Sequence, residues 1–186
     1  ITLFLLSFLY NGIYSQNLNT KNLFWRNIGP ANMMGRIAAI DASNKDYRKV
    51  LIASASGGVF KSDNAGVTWE SIFDKYGAGS IGSVKFDQNN LNTIWVGTGE
   101  SANRNSSAWG DGIYKSIDGG KTFTNMGLKS THQIAEIEIH PNNSNIVYAA
   151  AVGHLWGYSG ERGLFKTIDG GNSWEKSRDM CEGPQN

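Results

Sequence analysis

A twelve-residue segment occurs three times in this chain, and it constrains the fold more than any other feature. It reads GVFKSDNAGVTW at residues 58–69, GIYKSIDGGKTF at 112–123 and GLFKTIDGGNSW at 163–174. Each copy holds a short aromatic strand, a hydroxyl residue, an acid or amide, a glycine, and a second hydroxyl next to an aromatic residue. Self-similarity at a fixed period is the signature of a repeat architecture. The chain is therefore expected to fold as a series of equivalent units.

Each unit contains four predicted strands, recognised by short runs of alternating or continuous apolar residues. The first strands are expected at 36–42, 81–86 and 134–139, the second at 50–54, 93–98 and 146–151, the third at 58–62, 112–116 and 163–167, and the fourth at 68–73, 122–126 and 173–176. Four antiparallel strands in a unit of about fifty residues are typical of a β-propeller blade. We therefore predict an all-β fold with blades at about 35–75, 80–127 and 133–176. A stacked solenoid is the alternative.

A further strand is predicted at 23–28, because Trp25 precedes Trp69 by the same 44 residues that separate Ile37 from Ile81. Trp25 thus occupies the position of a last strand and would close the ring by pairing with the final blade. Closed propellers use roughly four to eight blades, and 177–186 reads as an irregular tail. The expectation is an incomplete ring from the N-terminal part of a larger protein, whose remaining blades would be its partners.

The first fifteen residues differ from the rest. An apolar run at 1–10 has the length of a signal-peptide core, and Ser15 is a small residue at a plausible cleavage point. The run is too short to span a bilayer, so no membrane span is expected after signal removal. These features predict a secreted, periplasmic or cell-surface bacterial protein. A buried N-terminal strand or helix is the alternative.

Composition excludes several classes of function. The 17 Lys and Arg nearly balance the 16 Asp and Glu, which argues against a nucleic-acid partner. The single cysteine, Cys181, rules out a disulfide framework and shows no zinc-ligand spacing. No metal site and no cofactor are predicted.

The repeated turn between the third and fourth strands is predicted to be structural. Its acid or amide can accept hydrogen bonds from turn N–H groups, and its glycine supplies a positive φ. The residues assigned this role are Ser62, Asn64, Gly66, Thr68, Trp69, Ser116, Asp118, Gly120, Thr122, Phe123, Thr167, Asp169, Gly171, Ser173 and Trp174. Acids repeated at one turn of every unit indicate scaffold rather than catalysis, and one carboxylate per turn is too few for calcium.

These turns resemble Asp-box (BNR) repeats, and the resemblance covers roughly residues 23–176. The chain is similar to the Asp-box propellers of sialidases, xyloglucanase-type glycosidases and the sortilin ectodomain, and to exported bacterial proteins with sortilin-like repeats. That resemblance implies a propeller scaffold that binds a glycan or a protein or peptide ligand. It also implies an alternative, a glycoside hydrolase whose catalytic acids lie partly in further blades.

Candidate ligand-binding residues are expected on the long loops between the second and third strands, since loops on rigid scaffolds carry binding residues. They are Arg36, Glu100, Arg104, Trp109, Asp111, His154, Trp156, Tyr158, Glu161 and Arg162. A glycosidase needs two carboxylates flanking the scissile bond, and the local acids are Glu100, Asp111 and Glu161. Arg36 resembles the first arginine of sialidases, but Ala38 replaces the proline of that motif. Catalytic residues stay unassigned, and each candidate has a structural alternative.

Overall fold

The computed structural model describes residues 36–156 and 160–179, with side chains omitted at 178 and 179. The chain divides after Met33, and all described residues belong to the second unit. The predicted signal peptide (1–15), the predicted closing strand (23–28), Tyr158 and most of the predicted tail lie outside the described residues.

The described residues form twelve strands in three separate four-stranded antiparallel sheets, each with its strands in sequence order. Blade 1 contains β1 (Ile37–Ala42), β2 (Val50–Ser54), β3 (Gly58–Ser62) and β4 (Glu70–Ser71). Blade 2 contains β5 (Ile81–Phe86), β6 (Ile94–Thr98), β7 (Ile113–Ser116) and β8 (Thr124–Asn125). Blade 3 contains β9 (Ile134–Ile139), β10 (Val147–Ala151), β11 (Gly163–Thr167) and β12 (Glu175–Asp179). The prediction of an all-β fold built from four-stranded antiparallel units is confirmed.

The three blades share one pairing pattern. In each blade, the register between the first and second strands shifts near the start of the first strand. The shift lies between Ile37 and Ala39 in blade 1, between Ile81 and Ser83 in blade 2, and between Ile134 and Glu136 in blade 3. A bulge bends its strand and increases the local twist. Because the shift recurs, equivalent positions in the three blades can be compared directly.

The fourth strands differ from the prediction. In blades 1 and 2 they contain only two residues each, although the N–H groups of Ile72 and Met126 still donate to the carbonyls of Val59 and Ile113. In blade 3 the strand continues through Asp179, where the backbone of Gly163 pairs with that of Asp179. The irregular tail therefore cannot begin at 177 as predicted. Backbone pairing with β11 extends this strand although its sequence lacks an apolar pattern.

Blades pack face to face through two hydrophobic clusters. The first joins Leu51, Val59 and Phe73 of blade 1 to Val84 and Phe123 of blade 2. We call the face that contacts the preceding blade the front face, and the face that contacts the following blade the back face. Every residue of β6 is buried, which is expected of a strand covered on both sides.

The second cluster lies between blades 2 and 3. It joins Trp95 and Ile113 on the back face of blade 2 to Ile137 and Val147 on the front face of blade 3. The largest buried side chain, Trp95, lies in this cluster. Apolar burial between neighbouring blades is therefore the main force that holds the three sheets together.

The repeated turns, which we call box turns (62–68, 116–122 and 167–173), have the same hydrogen bonds. In blade 2, Ser116 Oγ donates to Asp118 Oδ1 at 2.8 Å and accepts from the N–H of Gly120 at 2.9 Å. Thr122 donates its N–H to Asp118 Oδ1 at 2.9 Å and its hydroxyl to Asp118 Oδ2 at 2.6 Å. These bonds hold the pKa of Asp118 well below its ordinary value, the Thr122 hydroxyl having the largest effect.

Blade 3 repeats the network with Thr167, Asp169 and Ser173, and blade 1 repeats it with an amide. There Asn64 Oδ1 accepts from Ser62 Oγ and from the N–H of Thr68, while Asn64 Nδ2 donates to Thr68 Oγ1. The amide thus replaces the carboxylate by reversing one hydrogen bond. The turn needs an acceptor oxygen at this position and does not need a charge.

No helix within the described residues is long and apolar enough to cross a membrane.

One position of the box turn provides a stability test. Ala65 has φ 57°, whereas the equivalent positions hold Gly119 (φ 78°) and Gly170 (φ 72°). A left-handed backbone costs an L-residue about 1–2 kcal/mol, and Ala65 is exposed, so its methyl group contributes little packing. We expect Ala65→Gly to raise the free energy of unfolding by about 1 kcal/mol. The matched variant Gly119→Ala should lower it by a similar amount. Urea denaturation measures both, and a destabilised Ala65→Gly variant would contradict the argument.

The box-turn acids give a prediction about acid stability. The pKa values of Asp118 and Asp169 are lowered in the fold, so their contribution is present above the ordinary aspartate pKa and is lost as pH falls below about 4. We expect Asp118→Asn to fold and to weaken this acid dependence, because Asn64 already performs the same role. Asp118→Ala should lower the melting temperature at every pH. Thermal melts between neutral and acidic pH test both statements, and equal melting temperatures for Asn and Ala would refute them.

Candidate functional site

The strand order places two kinds of connection at opposite edges of the sheets. The turns between the first and second strands lie beside the box turns at one edge of the sheets, which we call the box edge. Here one N–H group of each box turn donates to a carbonyl of the neighbouring turn: Ala65 to Arg48, Gly119 to Asn92 and Gly170 to Asn145. The connections at 99–112, 126–133 and 152–162 leave the other edge. We call this the loop edge; its residues 157–159 are not described.

Three ring side chains meet at the loop edge. The ring centroids of His132 and His154 lie 4.0 Å apart. The Trp109 ring centroid lies 4.9 Å from that of His132 and 6.1 Å from that of His154, in an edge-to-face arrangement with both. Trp109 comes from the β6–β7 loop, His132 from the connection into β9, and His154 from the β10–β11 loop. We call these residues the loop-edge cluster. The structure thus brings together two predicted candidates, Trp109 and His154, with a third residue that was not predicted.

Close backbone contacts position the cluster. The N–H of Gly110 donates to the carbonyl of His132 at 2.7 Å, next to Trp109. A Cβ atom at Gly99 would overlap that same carbonyl, and one at Gly110 would overlap the backbone of Thr98. Only glycine fits both positions, which explains the glycines that flank this loop. His132 itself has φ 55° and ψ −41°, an uncommon conformation for a residue with a Cβ.

The surroundings of His132 lower its pKa. Burial lowers the pKa of His132, the neighbouring His154 lowers it further, and Glu161 opposes both. The Nδ1 atom of His132 is buried and has no hydrogen-bond partner among the described residues. Glu161 accepts a hydrogen bond from Ser130 Oγ at 3.0 Å, which links the connection before β9 to the β10–β11 loop. Across the described part of the chain, no group of three or more His, Cys, Asp or Glu residues is placed to hold a metal ion.

Arg36 and Glu100 form an ion pair in which the carboxylate is buried and the arginine is partly exposed. Glu100 is buried, and its carboxylate pairs with the Arg36 guanidinium. The N–H of Glu100 donates to Ser80 Oγ at 3.0 Å, and the carbonyl of Arg36 accepts from the N–H of Ala55 at 3.0 Å. This pair therefore joins blade 1 to the start of the β6–β7 loop.

Asp111 and Arg162 make local structural contacts. Asp111 Oδ2 accepts from the Tyr114 hydroxyl at 2.5 Å, and Asp111 Oδ1 accepts from Thr98 Oγ1 at 3.3 Å. Arg162 Nε donates to the carbonyl of Val152 at 2.7 Å, and one of its terminal nitrogens donates to that of His154 at 3.1 Å. Both residues brace the loops that carry the cluster.

The remaining candidates are exposed. Trp156 is exposed in the β10–β11 loop. Arg104 lies in an exposed turn, where its N–H donates to Ser107 Oγ at 3.1 Å. The sequence prediction missed His132 because it treated the connection before β9 as a link between blades. The available signal was topological, since that connection leaves the same edge as the two long loops.

A cavity of about 370 Å³ lies at the box edge, between the ends of the first strands. Its charged groups are already paired: the N–H of Phe86 donates to Asp41 Oδ2 at 2.7 Å, and Lys85 Nζ donates to Glu138 Oε1 at 2.8 Å. None of the predicted ligand-binding residues lines this cavity.

Similar solved structures belong to larger proteins. The GH74 enzyme of Niastella koreensis has a TM-score of 0.60 and 21% identity, over 78% of this chain and 22% of that one. The GH74 xyloglucanase of Xanthomonas campestris has a TM-score of 0.55 and 16% identity, over 76% and 20%. YCF48 bound to D1 peptide has a TM-score of 0.52 and 16% identity, over 76% and 39%.

Identities this low show the fold alone, and the chain spans well under half the length of each neighbour. Together with the three sheets, these neighbours confirm the predicted β-propeller with an incomplete ring. No protein-family model matches the chain, and neither does any curated protein.

The Arg36–Glu100 pair leads to a prediction about stability. Without Arg36 the buried Glu100 carboxylate loses its counter-charge. Because Arg36 itself is partly exposed to solvent, we expect Arg36→Met to lower the free energy of unfolding by only about 1–2 kcal/mol. Adding Glu100→Leu to Arg36→Met should recover part of that loss, because the unpaired carboxylate is then gone. Urea denaturation of the single and double variants measures the coupling. Strictly additive losses would show that the two side chains do not depend on each other.

Proposed function

We propose that the loop edge binds a glycan, through Trp109 and Trp156, without chemical conversion. The observation that carries the proposal is the position of Trp109, whose ring is held against two imidazoles yet remains 64% exposed, while Trp156 is 68% exposed. Large aromatic rings are normally covered in a folded domain, so fixed and exposed ones indicate a binding surface.

The chemistry of the cluster suits a sugar. An aromatic face stacks on the apolar face of a pyranose ring, and imidazole nitrogens can donate to or accept from its hydroxyls. Burial lowers the pKa of His132, and the neighbouring His154 lowers it further, which favours the neutral form of the ring. The similarity to GH74 structures, one of them described as a xyloglucanase, supports a glycan over a peptide. YCF48 bound to D1 peptide leaves a peptide ligand as the competing class.

Binding is favoured over hydrolysis because two of the three local acids already hold structural partners. Glu100 is buried against Arg36, and Asp111 accepts from Tyr114. A glycosidase needs one carboxylic acid to protonate the leaving group and a second carboxylate across the scissile bond. Hydrolysis with further blades remains the second hypothesis, and the binding experiment separates the two.

We also propose that the protein is exported as an Asp-box propeller, on the basis of the apolar run at 1–10 and the three box turns. N-terminal sequencing of protein recovered from a bacterial host with a secretion pathway tests export. A new N-terminus near Gln16 supports cleavage, and an intact apolar segment on soluble protein contradicts it.

The binding proposal is tested on soluble polysaccharides, with xyloglucan as the first probe. We expect Trp109→Ala and Trp156→Ala each to weaken binding about tenfold, the loss of one good stacking contact, as measured by affinity electrophoresis and titration calorimetry. The matched control is Tyr47→Ala, which removes an exposed aromatic ring from the first turn of blade 1 at the box edge. It should leave binding unchanged.

Two outcomes would overturn this proposal. Equal affinity for the control and both tryptophan variants would show that the loop edge is not the site. Release of reducing ends that Glu161→Gln, Glu100→Gln or Asp111→Asn abolishes would replace binding by glycoside hydrolysis. The melting temperature of each variant shows whether it remains folded.

A further inference from the structure

His132 joins three connections of the loop edge. Its carbonyl accepts from the N–H of Gly110 at 2.7 Å, which ties it to the β6–β7 loop. Its ring packs against the ring of Trp109 in that loop and against the ring of His154 in the β10–β11 loop. The connection at 126–133 and the two long loops therefore meet at this one residue.

Protonation of the His132 ring is incompatible with this packing. A charged imidazole carries a hydrogen on both ring nitrogens, and the buried Nδ1 of His132 has no hydrogen-bond partner within residues 36–156 and 160–179. A buried polar group without a partner is unfavourable, and more so when it is charged. A ring that turns out to water avoids this penalty. Protonation therefore favours a His132 ring that has left the cluster.

The second imidazole strengthens this effect. The ring centroid of His154 lies 4.0 Å from that of His132, with an angle of 58° between the ring planes. A positive charge on one ring disfavours a positive charge on the other at so short a distance. Burial has the largest effect on the pKa of His132, and His154 lowers it further.

The charges on the surrounding elements do not cancel this repulsion. They are Glu100, Arg104 and Asp111 on the β6–β7 loop, Glu161 and Arg162 on the β10–β11 loop, and Lys129 on the connection of His132 itself. Glu161 raises the pKa of His132, but by less than burial and His154 lower it. Glu100 already pairs with Arg36, and Asp111 already accepts from Tyr114.

The backbone of His132 also favours release. Its φ of 55° and ψ of −41° are uncommon for a residue with a Cβ and persist only where neighbouring contacts enforce them. The ring contacts with Trp109 and His154 are part of that enforcement. When the ring leaves the cluster, the backbone at 132 can relax, and the bond from Gly110 to its carbonyl is weakened.

We propose that the loop-edge cluster is a pH-sensitive latch, in which the neutral His132 ring holds the three connections together and its protonation releases them. The open form binds the proton more readily than the closed form. The closed form therefore has its full stability above the ordinary histidine pKa of about 6.5 and loses it progressively as the pH falls below that value. The latch needs no ligand. Its consequence, weaker glycan binding in acid because Trp109 is no longer held, rests on the proposed function.

Amide hydrogen exchange and NMR titration of the whole chain without ligand test the latch. We expect the protection factor of the Gly110 N–H, corrected for the intrinsic exchange rate, to fall about tenfold or more from about pH 7.5 to about pH 5. The indole signals of Trp109 should shift over the same range. His132→Gln, whose side chain is polar but does not titrate, should abolish both changes.

Two further variants separate the latch from general acid sensitivity. His154→Gln removes the neighbouring imidazole, so the pKa of His132 should rise and the Gly110 transition should move to higher pH. The matched control His140→Gln removes an exposed imidazole at the box edge, where Nδ1 accepts from the N–H of Asn142 at 3.2 Å. It should leave the Gly110 transition unchanged.

Four results would each overturn the latch. These are a Gly110 protection factor that does not depend on pH, a response that persists in His132→Gln, a transition that His154→Gln does not move to higher pH, and an equal loss of protection in the buried strand β6, which would indicate global unfolding. Because exchange is measured without ligand, a failure to bind glycan would contradict only the proposed function.

Discussion

The fold depends on the hydrogen bonds that one side-chain oxygen accepts in each box turn. Asp118, Asp169 and Asn64 each receive a turn N–H and a neighbouring hydroxyl. These bonds fix the turn that leads from the third strand into the fourth strand of every blade, whether that strand has two residues, as β4 and β8 do, or five, as β12 does. By fixing the turn, they also fix the carbonyl that receives the lysine of the preceding blade. One local interaction thus shapes the hairpin and aligns the next interface.

The interfaces gain specificity from this alignment. Apolar clusters supply most of the free energy, but burial alone is not directional. The bonds from Lys61 and Lys115 to the box-turn carbonyls of the following blade, together with the bond from the Trp174 indole to the carbonyl of Met126, fix how one sheet is positioned on the next. Among the described residues, the counterparts of the buried Val84 and Phe123 on the front face of blade 1, Ile40 and Trp69, are not covered by another blade.

The sequence predicted most of the fold because the repeat carries it. The first three strands of each blade lie within a residue of the predicted bounds, since their apolar patterns reflect burial between blades. The fourth strands were less predictable, because β12 depends on backbone pairing with β11 and not on its own residues. At the candidate site, residue type indicated Trp109 and His154, but not His132, whose position depends on contacts between two connections. From the sequence alone, Glu100 is a candidate catalytic acid. Its pairing with Arg36, which is distant in sequence, is visible only in the tertiary structure.

The two edges of the sheets differ in what their polar and aromatic side chains do. At the box edge, the repeated acid or amide side chain and both repeated hydroxyl groups are engaged within the turn of each blade. At the loop edge, glycine at 99 and 110 lets two connections approach closely, so that Trp109 contacts His132. His154 of a third connection packs against both rings. His132 has an uncommon backbone conformation there, and its buried Nδ1 atom has no hydrogen-bond partner in the part of the chain that the structure describes. Strain of this kind persists only where the surrounding structure enforces it. The blades provide that enforcement, which is why a scaffold of repeated turns can carry an irregular binding surface at its opposite edge.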